Sequence, residues 1–121
     1  MLADKKAVIG RSYWTILHQM PSGMHDPPTQ AEAVAFIGFL DASSEIYPCT
    51  TCRPGFFWVK AHPPDLSTRN ALSSWICDFH NAVNAHLGKP IHSCTVVKAE
   101  ECPTCTIKAP ERKHIGFVQL L

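Results

Sequence analysis

Trp75-Ile76-Cys77-Asp78-Phe79-His80-Asn81-Ala82-Val83-Asn84-Ala85-His86-Leu87-Gly88-Lys89-Pro90 is the stretch that decides the fold. Together with Leu72, the residues Trp75, Ile76, Phe79 and Val83 recur at helical spacing as one apolar stripe, and Gly88 followed by Pro90 marks the stop. Cys77, His80, Asn81 and Asn84 run beside it as a polar stripe. On residue statistics alone, such a histidine and its asparagines are most simply a solvated face. Yet two Asn in one helix cost a few tenths of a kcal/mol each against Ala, a hint of specific hydrogen bonds.

Working back along the chain, a shorter third helix carries Phe56, Phe57 and Val59 and stops before His62-Pro63-Pro64. Upstream, Thr29-Gln30-Ala31-Glu32 has the capping-box pattern and opens a second helix that places Ala33, Phe36, Ile37 and Leu40 on one face and runs to about Glu45. Trp14, Leu17 and His18, at i, i+3 and i+4 after Gly10-Arg11-Ser12, predict a first helix ended by Pro21. Downstream, Ser93 to about Glu100 has room for a short fifth helix, and Thr106 to Leu121 shows no strong period. With no repeat and no alternating strand pattern before the tail, the expectation is all-α: a small four-helix bundle with a short fifth helix.

The 121 residues suffice for one domain and one core. Hydrophobic residues at 45% and charged residues at 17% exclude disorder. A net charge of +1, with no basic run longer than two, gives no drive toward nucleic acid. The longest apolar stretch, Ala33 to Leu40, is far short of the roughly 20 residues that span a bilayer. Met1 to Gly10 lacks a signal-peptide core, so a soluble chain with no membrane partner is expected.

Six cysteines shift attention to redox chemistry: Cys49 and Cys52 in C-T-T-C, Cys77 and Cys94 singly, Cys102 and Cys105 in C-P-T-C. Cys49 and Cys52, three apart at a predicted helix start, share a face and can close a disulfide with Cα atoms roughly 5.5 Å apart. Unpaired N–H groups at a helix start also favour the thiolate an exchanging dithiol needs. A structural disulfide or half of a zinc site would use the same spacing. Zinc ribbons, however, place two such pairs about 15 to 20 residues apart, and 49 residues separate Cys52 from Cys102. No metal is therefore expected. Cys77 and Cys94 have the spacing of a staple tying the long helix to the segment after it, which is the expected reading, with a buried free thiol at Cys77 as the alternative.

Taken together, Gly10-Arg11-Ser12-Tyr13-Trp14-Thr15-Ile16-Leu17-His18, Tyr47-Pro48-Cys49-Thr50-Thr51-Cys52 and the stretch from Trp75 to Pro90 resemble the Erv/ALR family of FAD-linked sulfhydryl oxidases. The family pattern is G-R-S-x-W-x-x-L-H, Y-P-C-x-x-C and W-x-C-x-x-H-N-x-V-N-x-x-L-G-K-P, in the same order. The likeness covers about residues 7 to 94, so residues 1–95 are expected to form the FAD-binding domain and 96–121 a C-terminal tail.

The resemblance implies FAD bound among the helices by Gly10, Arg11, Ser12, Trp14, His18, Tyr47, Cys77, His80, Asn81, Val83, Asn84, Leu87 and Lys89. It implies catalysis by Cys49 and Cys52, a structural Cys77–Cys94 disulfide, and a candidate shuttle pair at Cys102 and Cys105. A client protein thiolate would attack Cys49 and release Cys52 next to the flavin, which passes two electrons to dioxygen to form hydrogen peroxide, or to cytochrome c. A homodimer is the usual family assembly. The mitochondrial intermembrane space or a virus-infected cell is favoured over the secretory pathway. Two departures bear on the fold. Val96 to Glu101 lacks the aromatic residues that family members often carry there, with a Trp near the adenine. Pro54-Gly55 interrupts the active-site helix, which is expected to begin late or kink.

Overall fold

The computed structural model describes residues 2–94. Four α-helices follow in order, α1 (Leu2–Gln19), α2 (Gln30–Ile46), α3 (Phe57–Ala61) and α4 (Arg69–Leu87), with 3-10 turns at Met20–Gly23 and Thr50–Phe56. No strand occurs among the described residues, as the all-α expectation required. Ser93 and Cys94 are not helical. The rest of the expected fifth helix, and the tail with Cys102 and Cys105, lie outside the described residues.

Helix α1 starts about ten residues earlier than the Trp14 pattern indicates. Lys5, Lys6 and Ala7 favour helix without apolar periodicity, so a reading based on burial does not find them. Gly10 lies within the helix with open space where a Cβ would stand. It costs about 1 kcal/mol against Ala there, and no packing contact requires it. The helix ends as expected at Pro21, which is buried in the following 3-10 turn.

The α2 capping box is complete: Glu32 N–H donates to Thr29 Oγ1 at 3.1 Å and Thr29 N–H to Glu32 Oε1 at 2.9 Å. The glutamate also accepts from the His25 backbone N–H, which ties the preceding loop to the cap. Burial of Phe36, Leu40 and Ser43 defines the inner face. Ile37, expected on that face, is 42% exposed.

The third helix begins late, at Phe57, and stops before His62, as expected, with Phe56 left in the preceding turn. The chain forms a 3-10 turn over Thr50–Phe56 and only then the single α-turn of α3. An α-helix from Thr50 would need a bond from the N–H of residue 54 to the Thr50 carbonyl, and Pro54 has none to give. The tighter i to i−3 pattern avoids that demand, as in the Phe57 N–H bond to the Pro54 carbonyl. Phe57 is 66% exposed.

Helix α4 forms as its stripe predicts. Thr68 Oγ1 accepts from Ala71 N–H at 2.9 Å, and Asp26 accepts from Arg69 N–H at 3.2 Å, setting a carboxylate at the positive end of a long helix. Gly88 closes it with φ 72°, a left-handed conformation that favours glycine. Leu72, Trp75, Ile76 and Phe79 are buried with Leu17 of α1, Phe36 and Leu40 of α2, and Phe56. Trp75 places its indole N–H on the His62 carbonyl at 2.9 Å, so its polar edge is satisfied within the core.

Cys77 and Cys94 are disulfide-bonded with Cα atoms 5.6 Å apart, closing a separation of 17 residues. Loop-closure entropy gives such a bridge about 3 kcal/mol. The variant C77S/C94S is therefore expected to lose about that much unfolding free energy and to unfold at lower denaturant. Unchanged unfolding midpoints would show that the bridge contributes nothing to stability.

Candidate redox site

Cys49 and Cys52 are disulfide-bonded with Cα atoms 5.2 Å apart. They bracket the first turn of the 3-10 segment: Cys49 is its N-cap, and Cys52 N–H donates to the Cys49 carbonyl at 3.1 Å. The expected α-helix start is thus replaced by a shorter, tighter turn. Arg53, directly after the pair, donates from Nε to the Tyr47 carbonyl at 2.9 Å and ties the two ends of the disulfide segment together. Cys49 is 7% exposed whereas Cys52 is exposed. The sulfur expected to receive a client is therefore on the buried residue.

Behind the pair lies an aromatic group. Tyr47 meets Tyr13 edge-on at 5.3 Å and Phe56 at 5.7 Å, and Tyr13 stacks on Phe39 at 5.5 Å. Tyr13 Oη is fully buried. Burial raises its pKa to about 12, with Ser43 offsetting in part and Tyr47 adding to the rise. Gly55 then brings the turn close to α4, where a Cβ would lie 3.7 Å from Val83 Cγ2.

One turn up α4 from Val83, the rings of Trp14 and His80 stack at 4.1 Å with planes 9° apart. His80 Nδ1 and His18 Nε2 lie 3.0 Å apart, so one ring donates and the other accepts, which requires the accepting nitrogen to be unprotonated. Burial lowers the pKa of both. For His80 the value falls to about 4, with the charges of His18, His92 and Lys89 adding to burial. These rings border an open cavity of about 310 Å³ lined by His18, Cys77, His80, Asn81, His92 and Ser93. Its volume is at the low end of the range ligand pockets take.

Of the residues expected to bind cofactor, the structure gathers His18, Cys77, His80 and Asn81 around this cavity, with Trp14 on the back of His80. Asn84 is buried on the same helix. Arg11, Ser12, Leu87 and Lys89 are exposed, Gly10 is half-buried, and Tyr47 belongs to the aromatic group behind Cys49. Asn81 uses both ends of its amide on the backbone of His92, donating to its carbonyl at 2.7 Å and accepting from its N–H at 2.9 Å. His92 and Ser93 are lining residues that sequence reasoning missed. The signal for them was the Cys77/Cys94 spacing, which returns the chain after Pro90 to α4.

Fold and site define a small helical redox domain, with a closed C-x-x-C disulfide and a ring-lined cavity set along one helix. The chain belongs to the Erv1/Alr family, whose model matches residues 11–103. It is similar to the mitochondrial FAD-linked sulfhydryl oxidase erv1 of Schizosaccharomyces pombe, 38% identical over an alignment of 93 positions that covers 74% of this chain and 51% of that protein. The FAD-linked sulfhydryl oxidase of African swine fever virus is 32% identical over 74% of this chain and 76% of its own. Among solved structures, the FAD binding domain of Erv1 from Saccharomyces cerevisiae superposes with a TM-score of 0.68 at 33% identity, covering 74% of this chain and 86% of that one. The yeast Erv1 core gives 0.71 at 32% identity, covering 78% and 82%. The chain spans about half the length of the fungal relatives it matches. No described helix is long and apolar enough to cross a membrane.

The histidine pair predicts a pH dependence. Both groups titrate below their ordinary 6.5 in the folded chain, so the unfolded chain binds more protons at mildly acid pH. Stability is then fully present above about pH 6.5 and falls as pH drops from there toward about 4. Urea unfolding across that window is expected to show the decline, and His80→Gln to flatten it. An equal slope in the variant would remove His80 as its source.

Proposed function

We propose that this chain is an FAD-dependent thiol oxidase that forms disulfides in protein substrates through Cys49 and Cys52. The observation that carries the reading is the closed Cys49–Cys52 disulfide on a turn that rests through Gly55 on Val83 of α4, the helix whose His80 and Cys77 line the ring-walled cavity. Flat rings and neutral imidazole nitrogens suit a planar heteroaromatic. Lys89, whose charge His80 feels, suits a phosphate. The residues therefore fit FAD.

In this reading Trp14 and His80 form the stacking wall and His18 holds His80 in orientation. Asn84 and Val83 complete the α4 face, while Gly10, Arg11, Ser12, Leu87 and Lys89 serve the outer part of the cofactor. Asn81 acts through the segment around His92, which it holds over the cavity, and Tyr47 sets the position of Cys49. Dithiol exchange at the pair oxidises the client: its two thiols become a disulfide, and Cys49 and Cys52 become thiols. When bound, FAD would supply the acceptor for that electron pair, with dioxygen (giving hydrogen peroxide) or cytochrome c as the final acceptor.

The exposed apolar residues Val8 and Ile16 of α1 and Val34 and Ile37 of α2 favour a homodimer. We place the chain in the mitochondrial intermembrane space or a virus-infected cell and not the secretory pathway; a relative named mitochondrial and one from a virus support the coarser choice.

The purified protein is expected to be yellow, whereas a cysteine-rich structural or zinc-binding module would be colourless. Cys49→Ser and Cys52→Ser should each reduce dithiol-driven oxygen consumption by orders of magnitude, and Cys52→Ser should retain the flavin yet lose its reduction by dithiol. Full turnover in both variants would sink the assignment.

The shuttle reading of Cys102 and Cys105 gives a separate expectation. A small dithiol reaches the Cys49 pair directly, while a folded client depends on a relay. C102S/C105S should then oxidise dithiothreitol at near wild-type rate and a reduced protein slowly. Wild-type rates with both substrates would make the pair dispensable, and equal loss with both would assign it to the fold.

A further inference from the structure

Cys49 carries a hydrogen-bond partner that neither its spacing nor the turn requires. Thr51 Oγ1 lies 3.3 Å from Cys49 Sγ. In a disulfide that sulfur has no hydrogen, so the threonine hydroxyl donates. The same oxygen accepts from Lys6 Nζ, also at 3.3 Å, which reaches across from α1 over 45 positions of chain. The two bonds run in one direction, from ammonium to hydroxyl to sulfur, and a donor engaged by a cation is a stronger donor.

We propose that Thr51 is a catalytic residue that stabilises the Cys49 thiolate, and that Lys6 is a positioning residue that polarises and orients the Thr51 hydroxyl. The inference rests on the reading of Cys49–Cys52 as the exchanging pair. In that exchange one client thiolate attacks a sulfur of the pair, forming a mixed disulfide and releasing the other cysteine as thiolate. The second client thiolate attacks the client sulfur of the mixed disulfide, closing the client disulfide and expelling the remaining cysteine. The client loses two electrons and two protons, and the pair gains the two electrons. In either order of attack, Cys49 leaves as thiolate in one of the two steps, and a leaving sulfur of lower pKa departs faster.

The need for a donor follows from burial. Cys49 is 7% exposed, and a buried thiolate is destabilised unless something replaces its lost water. Exposed Cys52 can take water directly. Lys6 and Thr51 are themselves exposed, so solvent screens the lysine and its share is the smaller one.

The test is the ionisation of Cys49 in the full-length chain carrying C52S, C102S and C105S, where Cys49 is the one thiol left beside the Cys77–Cys94 bridge. Titrating the ultraviolet absorbance of the thiolate requires no reagent to enter the buried site, and circular dichroism checks folding. Thr51→Val is expected to raise the Cys49 pKa by about one unit, the scale of one lost hydrogen bond to a charged group. Thr51→Ser should hold it near its starting value, and Lys6→Met should raise it by less than Thr51→Val does. With valine at position 51, Lys6→Met should add nothing. A Cys49 pKa unmoved by Thr51→Val in the folded chain would overturn the proposal, as would a Lys6→Met shift of the same size with or without Thr51. Because the titration involves neither flavin nor turnover, the oxidase reading and the relay can fail separately.

Discussion

The burial of one ring, Phe79, sets the positions on which the site depends. It is 1% exposed and contacts Trp14 of α1 at 4.9 Å, Phe56 of the redox turn at 5.8 Å, Trp58 of α3 at 5.8 Å and Trp75 of its own helix at 5.5 Å. Burying an aromatic side chain contributes roughly 1.5–3 kcal/mol by area alone, and edge or offset ring contacts add to it. More consequential for function is geometry. The segment after Cys52 and the helix carrying Trp14 and His18 are both referenced to α4 through this side chain, so disulfide and cavity wall are placed by the same packing event. A close-packed interior transmits small shifts, which makes Phe79 a determinant of site geometry without touching any reacting atom.

Parts of this arrangement were legible in the residues. The α4 stripe, the Thr29/Glu32 box and the Gly88 stop each combine a local preference with a single dominant reason for burial, and each formed where expected. The α1 start was not legible, since Lys5, Lys6 and Ala7 carry propensity without periodicity. At Pro54 the missing N–H was visible, yet its consequence, a 3-10 turn extending to Phe56, depends on how Phe56 must reach the core. Ile37 has helical spacing relative to Ala33 and Leu40, but the inner face follows Phe36, Leu40 and Ser43.

The polar stripe of α4 divides in a way no spacing rule anticipates. His80 and Asn81 are consecutive, yet His80 faces Trp14 and His18 while Asn81 faces the returning backbone at His92. Neighbouring positions on a helix differ by about 100°, so adjacent polar residues serve different partners once chains lie on both sides. The asparagine's cost to helix propensity is offset by two backbone bonds, and the reading of the stripe as a purely solvated face fails at both residues.

Two disulfides on one small scaffold differ in what their reduction does to the fold. On loop entropy alone, closing the 17-residue separation of Cys77 and Cys94 stabilises by about 1.3 kcal/mol more than closing the separation of 3 at Cys49 and Cys52. Asn81 widens the gap, since its amide also donates to Cys94 Sγ at 3.2 Å and anchors His92, so that breaking the long bridge endangers bonds that hold the cavity rim. The short bridge reaches beyond its own turn only through the exposed Lys6–Thr51 bond among the bonds described, and Arg53 on the Tyr47 carbonyl ties the segment's ends without involving either sulfur. In the proposed function this pair opens and closes with each client, which asks that the core be indifferent to its state. Placing it across three residues of a turn pinned by backbone and arginine contacts meets that requirement, and placing the staple across a helix end does not.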